Sequence, residues 1–264
     1  MKVTLITGAS GGMGAEFAKK LASENHNLLL VARNESKLKE LCDELIAKHN
    51  IQAQYFALDL SEADADKVLF EETQKRNLEV EWLINNAGSG SGGDLLIYDL
   101  DFYKNMMQLN MGTLVALTYR FLPQMRANKR GTIINLGSVA GFSPIPYMNV
   151  YAATKSFVSS FTRALWEENR LYNINVMLLC PGPTDTNFFK AAKIGIDIKN
   201  NFTSQILQTP AEVIISAMNG LKSKKIVTIS GIQNKLMITL LSFLPSKFVL
   251  KLTGKMMRKN LGIK

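Results

Sequence analysis

The chain has 264 residues, of which 47% are hydrophobic, so it can bury a sizeable core and a disordered chain is excluded. Its 2 cysteines lie far apart in apolar segments and its 2 histidines lie in polar stretches, which argues against disulfides and a metal site. Without a signal peptide or a spanning run of ~20 apolar residues, a cytoplasmic protein is expected. The net charge of +9 is concentrated at the end of the chain, unlike a nucleic-acid recognition module.

Short apolar runs alternate with amphipathic stretches of helical period, which is typical of a parallel sheet covered by helices. The predicted strands are Val3–Thr7, Asn27–Ala32, Gln54–Leu58, Val80–Asn85, Thr132–Leu136, Asn175–Leu179 and Ile226–Ile229. Their high content of Leu, Ile and Val indicates burial on both faces. We therefore expect a single α/β domain over residues 1–231, with a doubly wound parallel sheet and helices on both faces.

Two of the predicted helices have clear sequence signals. One has a predicted buried stripe at three- and four-residue spacing, formed by Leu38, Leu41, Cys42, Leu45 and Ile46. The other is predicted to begin at Thr209-Pro210-Ala211-Glu212, which has the pattern of a capping box with proline at the first helical position.

A glycine-rich turn, Thr7-Gly8-Ala9-Ser10-Gly11-Gly12-Met13-Gly14, follows the first strand and opens a helix predicted over Ala15–Leu21. Glycines there permit positive φ and close approach to a pyrophosphate, while the helix N-terminus offers N–H groups to the anion. The position of the turn favours a dinucleotide site over an ordinary loop. The residues expected to bind the cofactor here are Gly8, Ser10, Gly12, Met13 and Gly14.

The residues after the second and third strands bear on the choice between NAD and NADP. An NAD site of this type usually has a carboxylate at the end of the second strand. Here that position is Ala32, and the guanidinium of the next residue, Arg33, can pair with a 2′-phosphate. A solvated arginine at a helix start is the alternative. Asp59, with Leu60 beside it, is expected at the adenine, and NADP(H) is the favoured cofactor, with NAD as the rival.

Tyr151 and Lys155 are four residues apart on a predicted helix that runs to about Leu171, so they share one face. Ser138 follows the fifth strand, at the carboxyl edge where such sheets place their chemistry. Ketone reduction requires a proton donor, and an ordinary tyrosine with a pKa near 10 is a poor base for the reverse reaction. We expect Lys155 and the positive charge of the nicotinamide together to lower the pKa of Tyr151. Lys155 is also expected to bind the nicotinamide ribose, while Ser138 holds the substrate oxygen.

Together with Asn85-Asn86-Ala87-Gly88, Asn110 and Pro181-Gly182, these motifs resemble the classical short-chain dehydrogenase/reductase family over residues 1 to about 231. The resemblance implies a seven-stranded Rossmann fold and a Ser–Tyr–Lys centre. It also implies a water, held by Asn110, that continues the proton relay from Lys155. Further implied cofactor contacts are Asn86, Ala87 and Gly88 at the adenosine ribose, and Pro181, Gly182, Thr184 and Thr186 towards the carboxamide.

The same resemblance implies a homodimer or homotetramer formed through the helices around 101–128 and 150–170. Two residues depart from the family pattern. Gly11 stands where many NADP-using members have a basic residue, so cofactor choice depends on Arg33, with help from Ser10. Gly137 stands where a serine is frequent, which we expect to leave the catalytic centre intact.

Substrate contacts are expected from Ser138 and Tyr151, and from the segments 89–94, 143–148 and 187–208. Met148 and Phe188 are the side chains favoured there. The apolar residues and interspersed lysines of 187–208, including Phe189, Lys190, Lys193, Ile194, Ile196, Lys199 and Phe202, suit a lipophilic and even anionic substrate. An amphipathic flap that closes the site without reporting on the substrate is the alternative.

Residues 232–264 form a predicted basic amphipathic extension, with an apolar run over 236–244. The basic residues from 235 onward are Lys235, Lys247, Lys251, Lys255, Arg258, Lys259 and Lys264, and no acidic residue accompanies them. Such a segment can make peripheral contact with an anionic membrane, or it can pack on the protein with its lysines in water. The resemblance to 17-beta-hydroxysteroid dehydrogenases and long-chain 3-oxoacyl reductases favours a lipid substrate.

The predicted function is that of an NADP(H)-dependent oxidoreductase that interconverts a ketone or aldehyde and an alcohol by hydride transfer. One alternative is an NAD-dependent dehydrogenase of the same family. Another is a non-catalytic protein that senses NADP, although such a protein does not need Asn110, Ser138, Tyr151 and Lys155 together. Neither the substrate nor the physiological direction follows from these residues.

Overall fold

The computed structural model describes residues 1–188, 192 and 207–263. Its strands are β1 (Lys2–Thr7), β2 (Leu28–Ala32), β3 (Ala53–Ala57), β4 (Glu79–Asn85), β5 (Gly131–Leu136), β6 (Ile174–Cys180) and β7 (Val227–Ile229). All seven predicted strands are confirmed, with ends that differ by one residue at most. They form one parallel sheet in the order β3-β2-β1-β4-β5-β6-β7. The strand order reverses between β1 and β4, where sheets of this type bind ligands.

The helices lie between the strands and beyond the last one. They are α1 (Gly12–Ala22), α2 (Glu35–Lys48), α3 (Ala65–Lys75), α4 (Leu100–Met107), α5 (Thr113–Ala127), α6 (Asn149–Asn169), α7 (Pro210–Lys222), α8 (Ile232–Ser242) and α9 (Ser246–Leu261). Short 3₁₀ turns occur at Leu95–Ile97, Val139–Gly141 and Arg170–Tyr172, and a π-turn at Gln108–Gly112 joins α4 to α5.

The sheet is buried on both faces, as the apolar composition of its strands predicts. One face packs against α1, α2 and α7, with Phe17 and Val213 fully buried. The other face packs against α3, α5 and α6, with Leu69 and Phe121 buried there. This doubly wound arrangement confirms the Rossmann fold.

Local signals in the sequence are confirmed with one exception. The capping box of α7 is present, since Glu212 N–H donates to Thr209 Oγ1 at 3.3 Å and Thr209 N–H donates to Glu212 Oε2 at 2.7 Å. The buried stripe of α2 includes Leu38 and Leu45, but the prediction for Ile46 was wrong because its side chain is 46% exposed. Ile46 follows Leu45 by 100° around the helix, which takes it past the edge of the face that meets the sheet.

A buried polar cluster joins the centre of the sheet to α5 and α6. Asn85 Nδ2 donates to Asn135 Oδ1 at 2.9 Å and to Thr118 Oγ1 at 3.3 Å. Asn135 Nδ2 in turn donates to Thr162 Oγ1 on α6 at 3.0 Å. Buried amides without partners are costly, so these bonds favour one position of α6 against the sheet.

The two C-terminal helices follow β7 directly. α9 packs on the protein through Val249 and Met257, which are 4% and 2% exposed. In the described ranges, no helix combines the length and apolar character that crossing a bilayer requires. The division of the chain at residue 231 stays a prediction.

Candidate functional site

The glycine turn brings the backbone of β1, the start of α1 and the end of β4 into very close contact. Gly8 and Gly12 have φ of +65° and +54°, a region that side chains disfavour. A Cβ placed on Gly14 would lie 2.3 Å from Gly8 O and 2.9 Å from Ala9 Cα. The turn therefore leaves no room for a side chain at Gly14, and a phosphate-sized group can approach the start of α1.

Hydrogen bonds made by Thr7 and Asn86 hold this turn in place. Thr7 Oγ1 accepts hydrogen bonds from the N–H groups of Asn86 and Ala87, both at 2.9 Å. Asn86 Nδ2 donates to Thr7 O at 2.8 Å and to Gly8 O at 3.2 Å. The resemblance places Asn86 at the adenosine ribose, whereas its amide group donates to the turn itself. Sequence reasoning missed this bracing because it depends on the contact between β1 and β4.

The loop after β6 lies across the turn. A Cβ on Gly12 would lie 3.2 Å from Thr186 Cγ2, and Pro181 O accepts a hydrogen bond from Val139 N at 3.0 Å. A Cβ on Gly182 would lie 2.2 Å from Asn234 Nδ2 on α8. The predicted residues Pro181, Gly182, Thr184 and Thr186 therefore line the same crevice as the glycine turn.

Arg33 and Asp59 lie side by side at the carboxyl ends of β2 and β3. Arg33 Nη1 is 3.6 Å from Asp59 Oδ2, and the Arg33 side chain is 78% exposed. Burial acts to raise the pKa of Asp59, but hydrogen bonds from Ser61 and the charge of Arg33 hold it below its usual value. Leu60 is buried and its carbonyl accepts a hydrogen bond from Thr113 Oγ1 at 2.6 Å, so its main-chain N–H is the better candidate to bind an adenine.

Ser138 begins the short turn after β5, where its Oγ accepts a hydrogen bond from Ala140 N at 3.1 Å. Its side chain also forms a hydrogen bond with Tyr151. The preceding Gly137 is tightly enclosed, because a Cβ there would lie 2.8 Å from Leu178 Cδ1 and 3.1 Å from Cys180 Sγ. Glycine rather than serine at position 137 is therefore explained by the side chains of β6, which leave no room for a Cβ there.

Tyr151 and Lys155 lie on the buried face of α6, 7% and 6% exposed. Lys155 Nζ is 5.8 Å from the centre of the Tyr151 ring and donates to Leu136 O at 2.8 Å. Burial raises the pKa of Tyr151 to about 12, although its hydrogen bond with Ser138 acts to lower it. The expected lowering was wrong for the protein's own groups, because desolvation of the phenolate is the largest effect and outweighs the hydrogen bond with Ser138. Burial also lowers the pKa of Lys155 to about 8.

Asn110 lies within the π-turn between α4 and α5 and is 1% exposed. Its side chain accepts from Ser89 N at 2.9 Å and donates to Ser89 O at 2.9 Å and to Thr154 Oγ1 at 3.0 Å. Gly88 lies between Asn110 and Lys155, since a Cβ on it would be 3.2 Å from Asn110 Oδ1 and 3.6 Å from Lys155 Nζ. The geometry thus brings together four catalytic candidates that are scattered over residues 110–155 of the sequence. Such π-turns often mark functional sites.

A cavity of about 260 Å³ lies above these groups. Ser138, Tyr151 and Lys155 line it, together with the predicted substrate residues Met148 and Phe188. The Phe188 ring is 5.4 Å from the Tyr151 ring. Sequence reasoning missed the contributions of α8 and α9, which are Met237, Met256, Met257 and Asn260. The four-residue spacing of apolar residues indicates that these helices are amphipathic, but it does not indicate where on the protein they pack.

Most of the expected flap lies outside the described residues, including Phe189, Lys190, Lys193, Ile194, Ile196, Lys199 and Phe202. Of the residues between 188 and 207, only Ala192 is described. It is buried and its carbonyl accepts a hydrogen bond from Gly92 N at 3.1 Å.

The glycine cradle, the carboxyl-edge crevice and the Ser–Tyr–Lys cluster together define an oxidoreductase of the Rossmann type. The family model described as short chain dehydrogenase matches residues 2–196. The chain belongs to this short-chain dehydrogenase family. Membership supports a nicotinamide dinucleotide as cofactor and a small molecule as substrate.

Individual relatives agree with this assignment. The chain is 32% identical over 217 residues to a very-long-chain 3-oxoacyl-CoA reductase of Coprinopsis cinerea, covering 81% of this chain and 61% of that protein. It is 31% identical to a 7beta-hydroxysteroid dehydrogenase of Mediterraneibacter gnavus, covering 88% and 86%. A short-chain dehydrogenase from Sphingobium yanoikuyae in complex with NADPH superposes with a TM-score of 0.81 at 27% identity, covering 93% and 96%. The chain thus spans about three fifths of the first reductase.

Proposed function

We propose that this protein is an NADP(H)-dependent oxidoreductase that interconverts a ketone or aldehyde and the corresponding alcohol. The observation that carries the proposal is the convergence of Ser138, Tyr151 and Lys155 on one cavity beside the glycine turn. NADPH, when bound, supplies the hydride. The protein's own groups hold the carbonyl and deliver the proton.

In the reductive direction Tyr151 is the proton donor. With its pKa raised to about 12, the phenol keeps its proton at neutral pH and can pass it to the developing alkoxide. The Ser138 hydroxyl binds the same substrate oxygen and orients it towards the phenol. Lys155 stabilises the phenolate that remains, and Asn110, with the water implied by the family resemblance, is proposed to return a proton through Lys155.

The residues present fit a dinucleotide. The space that a Cβ would occupy at Gly8 and Gly14 is filled by backbone atoms and by the Asn86 amide, so the turn carries no side chain there and presents bare peptide groups to a phosphate. The pyrophosphate is assigned to Gly8, Ser10, Gly12, Met13 and Gly14. The adenosine is assigned to Arg33, Asp59, Leu60 and the segment 86–88, and the nicotinamide end to Lys155 and the loop 181–186.

Replacing Arg33 with alanine tests the preference for NADP. Arg33 is paired with Asp59 only loosely, so its guanidinium is available to a 2′-phosphate. Loss of a charge-assisted hydrogen bond of this kind costs ~1.5–3 kcal/mol, so we expect KM for NADPH to rise about 10- to 100-fold and KM for NADH to stay nearly constant. Lys39→Ala, which removes an exposed cation from the helix α2 that begins two residues after Arg33, is the control. Equal losses for both cofactors would favour the NAD-dependent alternative.

A pH profile tests the role of Lys155. Its ammonium is lost around pH 8 rather than near its usual 10.5, because burial lowers the pKa. The rate of NADPH-dependent reduction at limiting substrate is therefore expected to be flat below about pH 7.5 and to fall about tenfold per unit well above pH 8. Lys155→Arg keeps its charge and should flatten this decline at whatever rate it retains. An unaltered wild-type rate up to pH 10 would contradict the role.

We propose a lipophilic substrate, such as a ketosteroid or a 3-oxoacyl thioester. Supporting this, the cavity wall is apolar, with Ile145, Met148, Phe188, Met237 and Met257 around the catalytic oxygen atoms. The two relatives named for such substrates agree with it. An NADPH-consumption screen over ketosteroids, 3-oxoacyl thioesters and small aldehydes tests the choice, and preferential turnover of small aldehydes would contradict it.

Assembly and location complete the proposal. A homodimer or homotetramer through α4, α5 and α6 is supported by two exposed aromatic residues there, Tyr119 at 78% and Phe157 at 42%. The two buried free cysteines, Cys42 and Cys180, suit a reducing cytoplasm. Peripheral contact of the C-terminal segment with a membrane is supported by α9, which packs on the protein through one side only.

A further inference from the structure

α8 and α9 leave a row of large apolar side chains in solvent. On α9 the row is Phe248, Leu252 and Met256, which are 54%, 51% and 47% exposed. Four-residue spacing places them on one face of the helix. On α8, Leu236 and Leu240 are 56% and 67% exposed at the same spacing. Because Val249 and Met257 anchor an adjoining side of α9 to the protein, this row is a surface of the folded protein.

A cationic groove of about 760 Å³ runs along α9 beside the apolar row. Its cations all come from that helix and are Lys247, Lys251, Lys255 and Arg258. The one carboxylate in the lining, Asp94, accepts a hydrogen bond from Leu96 N at 3.0 Å. Among the described residues, no carboxylate forms an ion pair with any of the four cations. The groove therefore has positive charge that no ion pair of the described residues neutralises.

The opposite wall of the groove carries a second apolar ridge. It is the 3₁₀ turn Leu95–Ile97, in which Leu95, Leu96 and Ile97 are 47%, 89% and 60% exposed. Leu95 also lines the groove itself. The cations thus lie between two apolar ridges.

This combination selects among possible occupants. A second copy of the same face would bring the four groove cations against their own kind, with only Asp94 of each copy to offset them, which is repulsive. A nucleic acid offers phosphates but leaves the apolar ridges in water. An anionic lipid surface offers phosphates at the depth of the headgroups and acyl chains below them. Only the lipid surface complements both features.

We propose that α8, α9 and the turn Leu95–Ile97 dock on an anionic phospholipid surface, with the groove receiving phosphate headgroups and the two ridges entering the interface. This inference deepens the proposed membrane contact and rests on it. Met256 belongs both to the exposed row and to the lining of the catalytic cavity, and Met237 of α8 lines the same cavity. The docked face therefore opens on the catalytic cavity, so a lipophilic substrate can reach Tyr151 from the lipid.

The test uses the full chain with sonicated vesicles of phosphatidylcholine, with and without phosphatidylglycerol, in a co-sedimentation assay. Wild type is expected to bind the anionic vesicles and to be released by high salt. The groove variant Lys251→Glu/Lys255→Glu should bind at least about 100-fold more weakly, since each cation near the surface contributes about fivefold and each reversal counts twice. The control Lys222→Glu/Lys225→Glu makes the same charge change just before β7, at the amino-terminal ends of the strands, where both side chains are exposed. This variant should keep nearly all of its vesicle binding.

A second variant separates the apolar ridge from charge alone. Phe248→Ser/Leu252→Ser is expected to weaken vesicle binding at least tenfold without changing NADPH-dependent turnover of a water-soluble ketone, which also separates failure of docking from failure of the proposed catalysis. No binding by wild type, or equal losses in the groove and control variants, would overturn the docking site. The docking site would also be overturned if inorganic phosphate stabilised the protein while Phe248→Ser/Leu252→Ser left vesicle binding unchanged. A dimer that dissociates in this variant would assign the face to a second copy instead.

Discussion

Tyr151→Phe is expected to lower kcat for carbonyl reduction by about 10³-fold, within the range that a positioned proton donor contributes. The substitution removes only the phenolic oxygen, and the ring keeps its contact with Phe188. NADPH affinity should stay within about threefold, since Lys155 and the glycine turn are untouched. Steady-state turnover together with the fluorescence of bound NADPH measures both quantities.

The matched control is Tyr103→Phe, which removes another buried phenol from the same hydrophobic cluster. It should leave kcat within about twofold. If Tyr151→Phe retained most of the wild-type rate, Tyr151 would not be the proton donor. If wild type showed no turnover with any carbonyl substrate while binding NADPH tightly, the sensing alternative would be favoured.

Gly14→Ala is expected to raise the dissociation constant of NADPH more than about 100-fold. The added methyl group would lie 2.3 Å from Gly8 O, which is a backbone atom in a braced turn and cannot move aside cheaply. Overpacking of this kind typically costs ~1–3 kcal/mol of stability, so the free energy of unfolding should fall as well. Isothermal titration with NADPH and denaturant unfolding measure the two effects.

Gly11→Ala provides a sharp comparison three residues earlier. Gly11 has extended backbone and no atom within 4 Å of the place where its Cβ would stand. The same methyl group should therefore change NADPH affinity and stability little, by about 0.5 kcal/mol or less. Equal effects of Gly11→Ala and Gly14→Ala would contradict the enclosed geometry of the turn.

The sheet and the outline of the site could be predicted because their signals are local. Strands buried on both faces appear in the sequence as continuous apolar runs, and the positions of Gly8, Tyr151 and Lys155 follow from their spacing within known motifs. Ile46 shows the limit of this reasoning: helical periodicity gives the direction of the buried stripe but not its width.

Contacts between distant segments could not be predicted in the same way. The α9 segment could have lain on a membrane or on the protein, and it packs on the protein through Met257 because the cavity above Tyr151 is apolar. The direction of the pKa shift of Tyr151 also depends on burial by residues far away in sequence. Proximity of Lys155 alone therefore suggested the opposite sign.

The polar cluster of Asn85, Asn135 and Thr162 has a consequence for how the enzyme tolerates change. An apolar interface would let α6 slide along the sheet by small steps at little cost, whereas these hydrogen bonds between amide and hydroxyl groups form at one setting only. Sequence drift elsewhere in the core can thus alter stability without moving Tyr151 relative to Ser138. The position of Tyr151 therefore depends on this polar cluster and not on the overall free energy of unfolding.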